Sequence, residues 1–469
     1  MDRTTHLKGM LFFLFIVILI SILIINVSSP RSNFMIPWLH GAHSAFSFRV
    51  SEQTVTRSMN VCSSQISDQT ITPLDNTKHF VVSAFMDQRV KGFDIRIISI
   101  FKRDSIQPLH CLFCCADHLS SATPATVLLH SDHFGFPFGT TDVMCQIPHD
   151  CSATHVALLT QPEGVKSLNQ SWMQIKNRRN PGKEEETFQL NFTVCISNLF
   201  GKYNNVLQFA QTLEIYRLLG VDRVVIYNTS CGPELNRLLH SYSQEGFVEM
   251  VPWPIDKHLN PSHGWQHLKH EGDLHYFGQL TTLNECIYRS MERSRYVLLN
   301  DIDEIIMPYQ HDSLTSLMDT LQTQHPNTGV FLIENHIFPR KPLEERIKGP
   351  LPQWSGVSGF NILQNICREE PDRSVYHPHK MIIQPRLVEQ TSVHEVLKMF
   401  GEMFKVPLEV CRIIHHPINI IKRPLKQLHV DTRLWDFKDK LIPRVNKTLR
   451  KAGLLSTGQE TSGWMEKTN

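Results

Sequence analysis

Two carboxylates, Asp301 and Asp303, stand one residue apart just after the apolar run Tyr296-Val297-Leu298-Leu299. The run reads as a buried strand of a parallel sheet. Ligands of open α/β sheets bind beyond the carboxyl ends of the strands, where these acids project. In extended backbone, residues two apart point the same way, so the pair can face one ion together. Carboxylate oxygens and water suit Mg²⁺ or Mn²⁺, ions that bridge diphosphates and stabilise charge on a departing nucleotide diphosphate. The competing reading of an isolated D-x-D is a solvated acidic turn.

The elements that must position this pair alternate along the chain. Residues 192–196, 224–227 and 247–251 read as strands. Val206, Phe209, Ala210, Leu213 and Tyr216 mark one face of a helix that Gly220 closes. Pro233 suits the first turn of a second helix, and Gly246 ends it. A third helix, carrying Leu280, Leu283, Ile287 and Met291, leads into the strand before Asp301, and 330–333 continues the pattern. Such alternation predicts an α/β class, with a Rossmann-type mixed or parallel sheet and helices on both faces.

What precedes this region is different. Residues 10–27 carry no charge, and as a helix they reach about 27 Å, close to a hydrocarbon core of roughly 27–30 Å. Arg3 and Lys8 flank the run on one side and Arg31 on the other, which places residues 1–9 in the cytosol and the rest across the membrane. A cleaved signal peptide would have a shorter apolar core and small residues at the cut, and Val27-Ser28-Ser29 matches poorly. Residues 10–27 are therefore expected to be an uncleaved anchor in the lipid bilayer, followed by a polar stem over 28–75. A β-rich domain is expected over 76–165, with strands through 80–85 and 95–100, and a charged linker over 166–188. The catalytic domain then spans 189–420, and a basic helical segment 421–469. In Lys422–Lys451 ten Lys or Arg stand against three Asp. A solvated helix packed by Leu434, Trp435, Leu441 and Val445 accounts for them.

The chain has 11 cysteines. Cys111-x-x-Cys114 with nearby histidines fits no standard zinc spacing, and a lumenal chain favours disulfides. Asn169, Asn191, Asn228 and Asn446 begin N-x-S/T sequons. The net charge of +2 argues against a nucleic-acid partner, which would demand a strongly basic surface.

Four groups of segments, in order, carry a family resemblance. They are Tyr203-Asn204-Asn205-Val206-Leu207-Gln208 with Leu219-Gly220-Val221-Asp222; Val251-Pro252-Trp253-Pro254; Gly278-Gln279-Leu280-Thr281-Thr282-Leu283-Asn284-Glu285-Cys286 with Asn300-Asp301-Ile302-Asp303-Glu304; and His379-Lys380-Met381-Ile382 with Val393-His394. Together they resemble glycosyltransferase family 92, a group with the GT-A fold. The resemblance implies transfer of a sugar, galactose in characterised members, from a nucleotide sugar such as UDP-galactose to a glycan or glycoprotein acceptor. It implies Mn²⁺ or Mg²⁺ held by the D-x-D, with Asp303 as direct ligand and Asp301 at the ribose or the metal's water. A late histidine completes many such sites. His394 is in place for it and His415-His416 competes, although Pro417 and Ile418 follow where the family often has an aromatic and an arginine. Lys380 and Arg386 are candidates for the diphosphate, and Gln279 belongs to the signature. An inverting transfer needs a base. Glu334 after its strand is positioned for it, with Glu369 and Glu370 as alternatives. The expected protein is a single-pass, type II resident of the Golgi membrane with its catalytic part lumenal. A glycan-binding protein that kept the fold without turnover is the alternative. A glycosidase is disfavoured, because its two acids would flank a bond from opposite sides.

Overall fold

The structure is a computed structural model that describes residues 66–116, 118–162, 171–178, 188–340, 354–370, 378–417 and 427–456. The expected anchor at 10–27 and most of the expected stem lie outside the described residues. Among the described residues no helix is long and apolar enough to cross a membrane.

The first sheet has nine strands: β1 (Thr72–Pro73), β2 (Phe80–Met86), β3 (Ile95–Lys102), β4 (His110–Cys114), β5 (Thr123–Pro124), β6 (Thr126–Leu129), β7 (Phe138–Cys145), β8 (His155–Leu159) and β9 (Met173–Lys176). Their order is β5-β4-β8-β9-β2-β3-β7-β6, with β1 on β2. Two expected boundaries shift here. Ile71 is fully buried and β1 pairs with β2, so the stem does not extend to 75. The stretch read as a linker contains β9, whose Met173 and Ile175 are buried against the sheet. Disulfides join Cys111 to Cys145 and Cys115 to Cys151, and Cys114 is disulfide-bonded as well. Every residue of β3 but the last is buried, since both faces of this sheet are covered.

The second sheet is built from β10 (Leu190–Leu199), β11 (Arg223–Asn228), β12 (Val248–Pro252), β13 (Ser294–Asn300), β14 (Glu304–Pro308), β15 (Thr328–Ile337), β17 (His379–Ile383), β20 (Glu402–Lys405) and β21 (Cys411–His415). Two small ribbons pair β16 (Cys367–Glu369) with β22 (Leu428–Val430) and β18 (Val388–Thr391) with β19 (Val396–Met399). The order of the second sheet is β12-β11-β10-β13-β17-β15-β21-β14, with β20 beside β15. The first four strands are parallel, as the alternating pattern predicts. β17 then intrudes antiparallel between β13 and β15, so the sheet is mixed.

Period-two alternation decides what each face meets. Val194, Ile196, Tyr296 and Leu298 face a core shared with α1 (Val206–Leu218), α2 (Pro233–Gln244), α4 (Leu314–Gln324) and α5 (Lys438–Lys451). Cys195, Val297 and Leu299 face the other way, against Leu283 and Ile287 of α3 (Gln279–Ser290). The far side of α3 meets Val82, Phe85, Ile98, Ile100 and Phe138 of the first sheet. One helix thus lies between two sheets, and a disulfide from Cys195 to Cys286 fastens it to β10. The basic C-terminal helix is an integral part of this fold. Leu441, Val445 and Leu449 are fully buried in the core that α1 lines, while its lysines and arginines stay outside.

Candidate active site

The carboxyl edge of the parallel strands opens into a pocket of about 700 Å³. Ser197 and Asn198 reach it from β10, Asp301, Ile302 and Asp303 from the turn after β13, Asn335 from β15 and His415 from β21. Asp301 and Asp303 occupy a tight turn rather than extended backbone, with Glu304 N–H donating to the Asp301 carbonyl at 3.4 Å. Both still line the pocket.

Asp301 is held from two sides. Gln279, the first residue of α3, donates to its Oδ1 at 3.0 Å and to Ser197 Oγ at 3.2 Å. Lys380 Nζ lies 2.7 Å from its Oδ2. Burial alone would raise the Asp301 pKa, but the Lys380 charge prevails and holds it below the usual carboxylate value. Lys380 is 2% exposed and does not line the pocket, so its charge acts through Asp301 rather than on a ligand directly. Behind the turn, Glu304 accepts from Asn335 Nδ2 at 2.8 Å, and burial lifts its pKa to about 7.

Two histidines meet this acid cluster in different states. His415 Nε2 sits 3.4 Å from Asp303 Oδ2. Burial opposes its charge, but the bond to Asp303 and the neighbouring carboxylates raise its pKa to about 9. His394 is pushed down to about 4, by burial and then by Lys380, so it is neutral at ordinary pH. Its Nδ1 lies 3.1 Å from the His379 carbonyl, which can only accept. The proton is therefore on Nδ1, and Nε2 keeps its lone pair for a ligand.

The left-handed stretch Tyr276, Phe277, Gly278 forms another wall, with φ of 36°, 55° and 81°. Non-glycine residues in this region cost about 1 kcal/mol or more each. Asn198 Nδ2 steadies the turn through the carbonyls of Tyr276 (3.0 Å) and Phe277 (2.8 Å), and Trp253 Nε1 adds a bond to the latter at 2.8 Å. The turn points His275 and Tyr276 at the cavity and starts α3 with Gln279 facing Asp301.

Several sequence assignments move. Glu334 does not line the pocket. Side chains alternate along β15, and since Asn335 faces the cavity Glu334 faces the opposite side, 3.1 Å from Lys405. Glu369 is buried and Glu370 pairs with Arg368 at 2.9 Å, both outside the cavity. Arg386 is bound to Glu292 at 2.8 Å and is not among the residues that line the pocket. Of the His415-His416 pair, His415 meets Asp303 while His416 is buried against Phe338 and Phe360. No motif or spacing pointed to Asp132 and Phe134, which line the pocket from the loop after β6, nor to Trp265.

The donor chemistry suits a hard divalent ion in kind, namely the Asp303 carboxylate, the neutral His394 Nε2 and a further carboxylate at Asp301. The spacing is looser. Asp301 is committed to Lys380 and Gln279, and among the described residues no three His, Cys, Asp or Glu side chains gather closely enough to hold an ion.

An acid pair at the carboxyl edge of parallel strands, opening into a cavity sized for a small molecule, defines an α/β protein with a ligand site at its sheet edge. The chain belongs to glycosyltransferase family 92, whose defining sequence pattern matches residues 191–450. It is similar to a glycosyltransferase family 92 protein, F13G3.3, of Caenorhabditis elegans, with 26% identity over 203 residues. That match covers 43% of this chain and 37% of the relative, so the chain spans little more than a third of that protein's length. It is also similar to the beta-1,4-galactosyltransferase galt-1 of the same organism, 18% identical over 70% of each chain. Among solved structures, glucosyl-3-phosphoglycerate synthase from Mycobacterium tuberculosis aligns at 10% identity and a TM-score of 0.24, over 57% of this chain and 82% of that one.

Proposed function

We propose that the protein transfers a hexose, galactose from UDP-galactose, to a glycan acceptor, with the help of a divalent cation. The observation that carries this reading is the charge of the cavity. Asp301, Asp303 and Glu304 meet there against one cationic side chain, His415, and among the described lining residues there is no Lys or Arg. A nucleotide diphosphate entering such walls needs a cation between. Asp303 and His394 would hold that ion, with Asp301 beside them. Bound there, Mn²⁺ or Mg²⁺ would neutralise the diphosphate as it leaves. Lys380 and Gln279 orient Asp301, and the neutral His394 offers Nε2. The similarity to a protein named as a galactosyltransferase supports the donor. The disulfides and the exposed sequon residue Asn191 support a lumenal location, with 10–27 as membrane anchor in the Golgi.

The ion pair from Lys380 to Asp301 favours a second reading, in which the site binds glycans without turning over a donor. One measurement separates the two: release of UDP from UDP-galactose by the full chain, with and without Mn²⁺. Mn²⁺-dependent release is expected. Glycan binding with no turnover of any nucleotide sugar would select the second reading.

A further inference from the structure

The cavity extends past the acid cluster into an aromatic compartment. The ring of His275 stacks on Phe134 at 4.2 Å, and Trp265 meets Phe134 edge-on at 6.3 Å. Trp265 is 49% exposed and lines the same cavity, so its ring is open to a ligand. Phe134 comes from the loop between β6 and β7, outside the residues that the family pattern matches. Backbone bonds tie this loop to the one carrying Trp265: His267 N–H to the Phe134 carbonyl at 3.2 Å, and Phe138 N–H to the Asp273 carbonyl at 3.0 Å. The aromatic pair is therefore fixed in place. Beside it stand two carboxylates, Asp132, which accepts from the Ser392 hydroxyl, and Glu395.

We propose that Phe134 and Trp265 form the acceptor subsite, which takes the terminal unit of a neutral glycan and turns away sialylated or sulfated ends. The proposal rests on the transferase reading and specifies its acceptor. A pyranose ring presents a face of C–H groups, which an indole or phenyl face covers well, and an edge of hydroxyls, which carboxylates accept from. A nucleobase would stack equally well. Its diphosphate, however, would have to approach Asp132 and Glu395, and like charges at short range repel. The same repulsion discriminates against anionic sugars. The aromatic wall therefore lies on the acceptor side, and the first sheet, with no part in the D-x-D, helps to choose the substrate.

The test uses the full chain, Trp265→Ala and Trp265→Phe. Trp265 is half exposed, so its loss leaves the fold intact, and a melting curve checks this. Three measurements are made: binding to an array of neutral, sialylated and sulfated glycans, affinity for UDP with Mn²⁺, and release of UDP from nucleotide sugars. The expected result is binding of wild type to neutral termini only, weakened about ten-fold or more in Trp265→Ala, largely restored in Trp265→Phe, with UDP affinity within two-fold. A parallel loss of UDP affinity would make the platform part of the donor site and overturn the proposal. So would unchanged glycan binding in Trp265→Ala, preference for anionic termini, or a wild type that binds no neutral glycan. A wild type that binds neutral glycans but hydrolyses no nucleotide sugar would sink the transferase reading alone.

Discussion

Asp301 is engaged by Lys380 and Gln279, while Asp303 lines the cavity with only His415 beside one oxygen, at 3.4 Å. Asp303→Ala is expected to lower transfer by about 10²–10³-fold, the usual cost of one pre-organised charged group, with the melting temperature little changed. Near-wild-type turnover would remove the D-x-D from the mechanism. The histidines separate by burial. His394→Ala is expected to raise the Mn²⁺ concentration for half-maximal rate. His416→Ala should leave that midpoint alone and lower stability by about 2–4 kcal/mol, as a buried ring lost against Phe338 and Phe360. A Mn²⁺ titration and a denaturant curve for each variant check both; a shifted midpoint in His416→Ala alone would reverse the roles. Because the His394 pKa is near 4, the rate should show no step from this ring at pH 6.5, where a free imidazole would titrate. The acid pair was legible in the sequence because it is local, two carboxylates after one strand. The facing of Glu334 was not. Glu334 and Asn335 differ by one residue, and only the register of β15 tells that Asn335 faces the cavity and Glu334 does not.

At the scale of elements, α3 does three things. It places Gln279 on Asp301, it is fastened to β10 by Cys195–Cys286, and through Glu285 it clamps the two sheets. Glu285 accepts from Ser83 Oγ of β2 at 2.9 Å, from the hydroxyl of Tyr227 on β11, and from Arg289 at 2.8 and 2.9 Å. Burial would raise its pKa, but Arg289 and then Lys176 bring it down to about 2. The folded value lies below the unfolded value of about 4.5, so the clamp stabilises fully above pH 4.5 and its contribution disappears as the pH falls through 2. Glu285→Gln is expected to cost about 3 kcal/mol at pH 7, and to flatten the loss of stability between pH 4.5 and 2. Denaturant midpoints measured across that range would show it, and parallel curves for the two proteins would contradict it. The helix itself was readable from the spacing of Leu280, Leu283 and Ile287. Its second partner was not, since a helical stripe says that a face is covered and nothing about which strands cover it. For the same reason 166–188 read as linker. Its charged ends hid the four residues of β9, too short a strand for periodicity to announce.

For the whole molecule, the two sheets share a core through α3, besides the core each has on its other face. The first sheet made alone, as residues 66–188, is expected to be insoluble or to bind hydrophobic dyes. It would expose Val82, Phe85, Ile98, Ile100 and Phe138 to water, and a soluble, cooperatively melting fragment would refute this. Composition and strand–helix alternation pointed to the sheet classes correctly, because both depend on local pattern. They could not convey that the two sheets form one unit, which depends on contacts between residues some hundred or more positions apart. That arrangement also sets a timetable. The first sheet leaves the ribosome with its inner face bare, and the helix that covers it follows about 100 residues after β9. At ~5–20 residues per second that is on the order of ten seconds. For that interval the nascent chain carries a row of isoleucines and phenylalanines with no helix to cover them. A translational pause just before Gln279 would lengthen that exposure more than one placed after it.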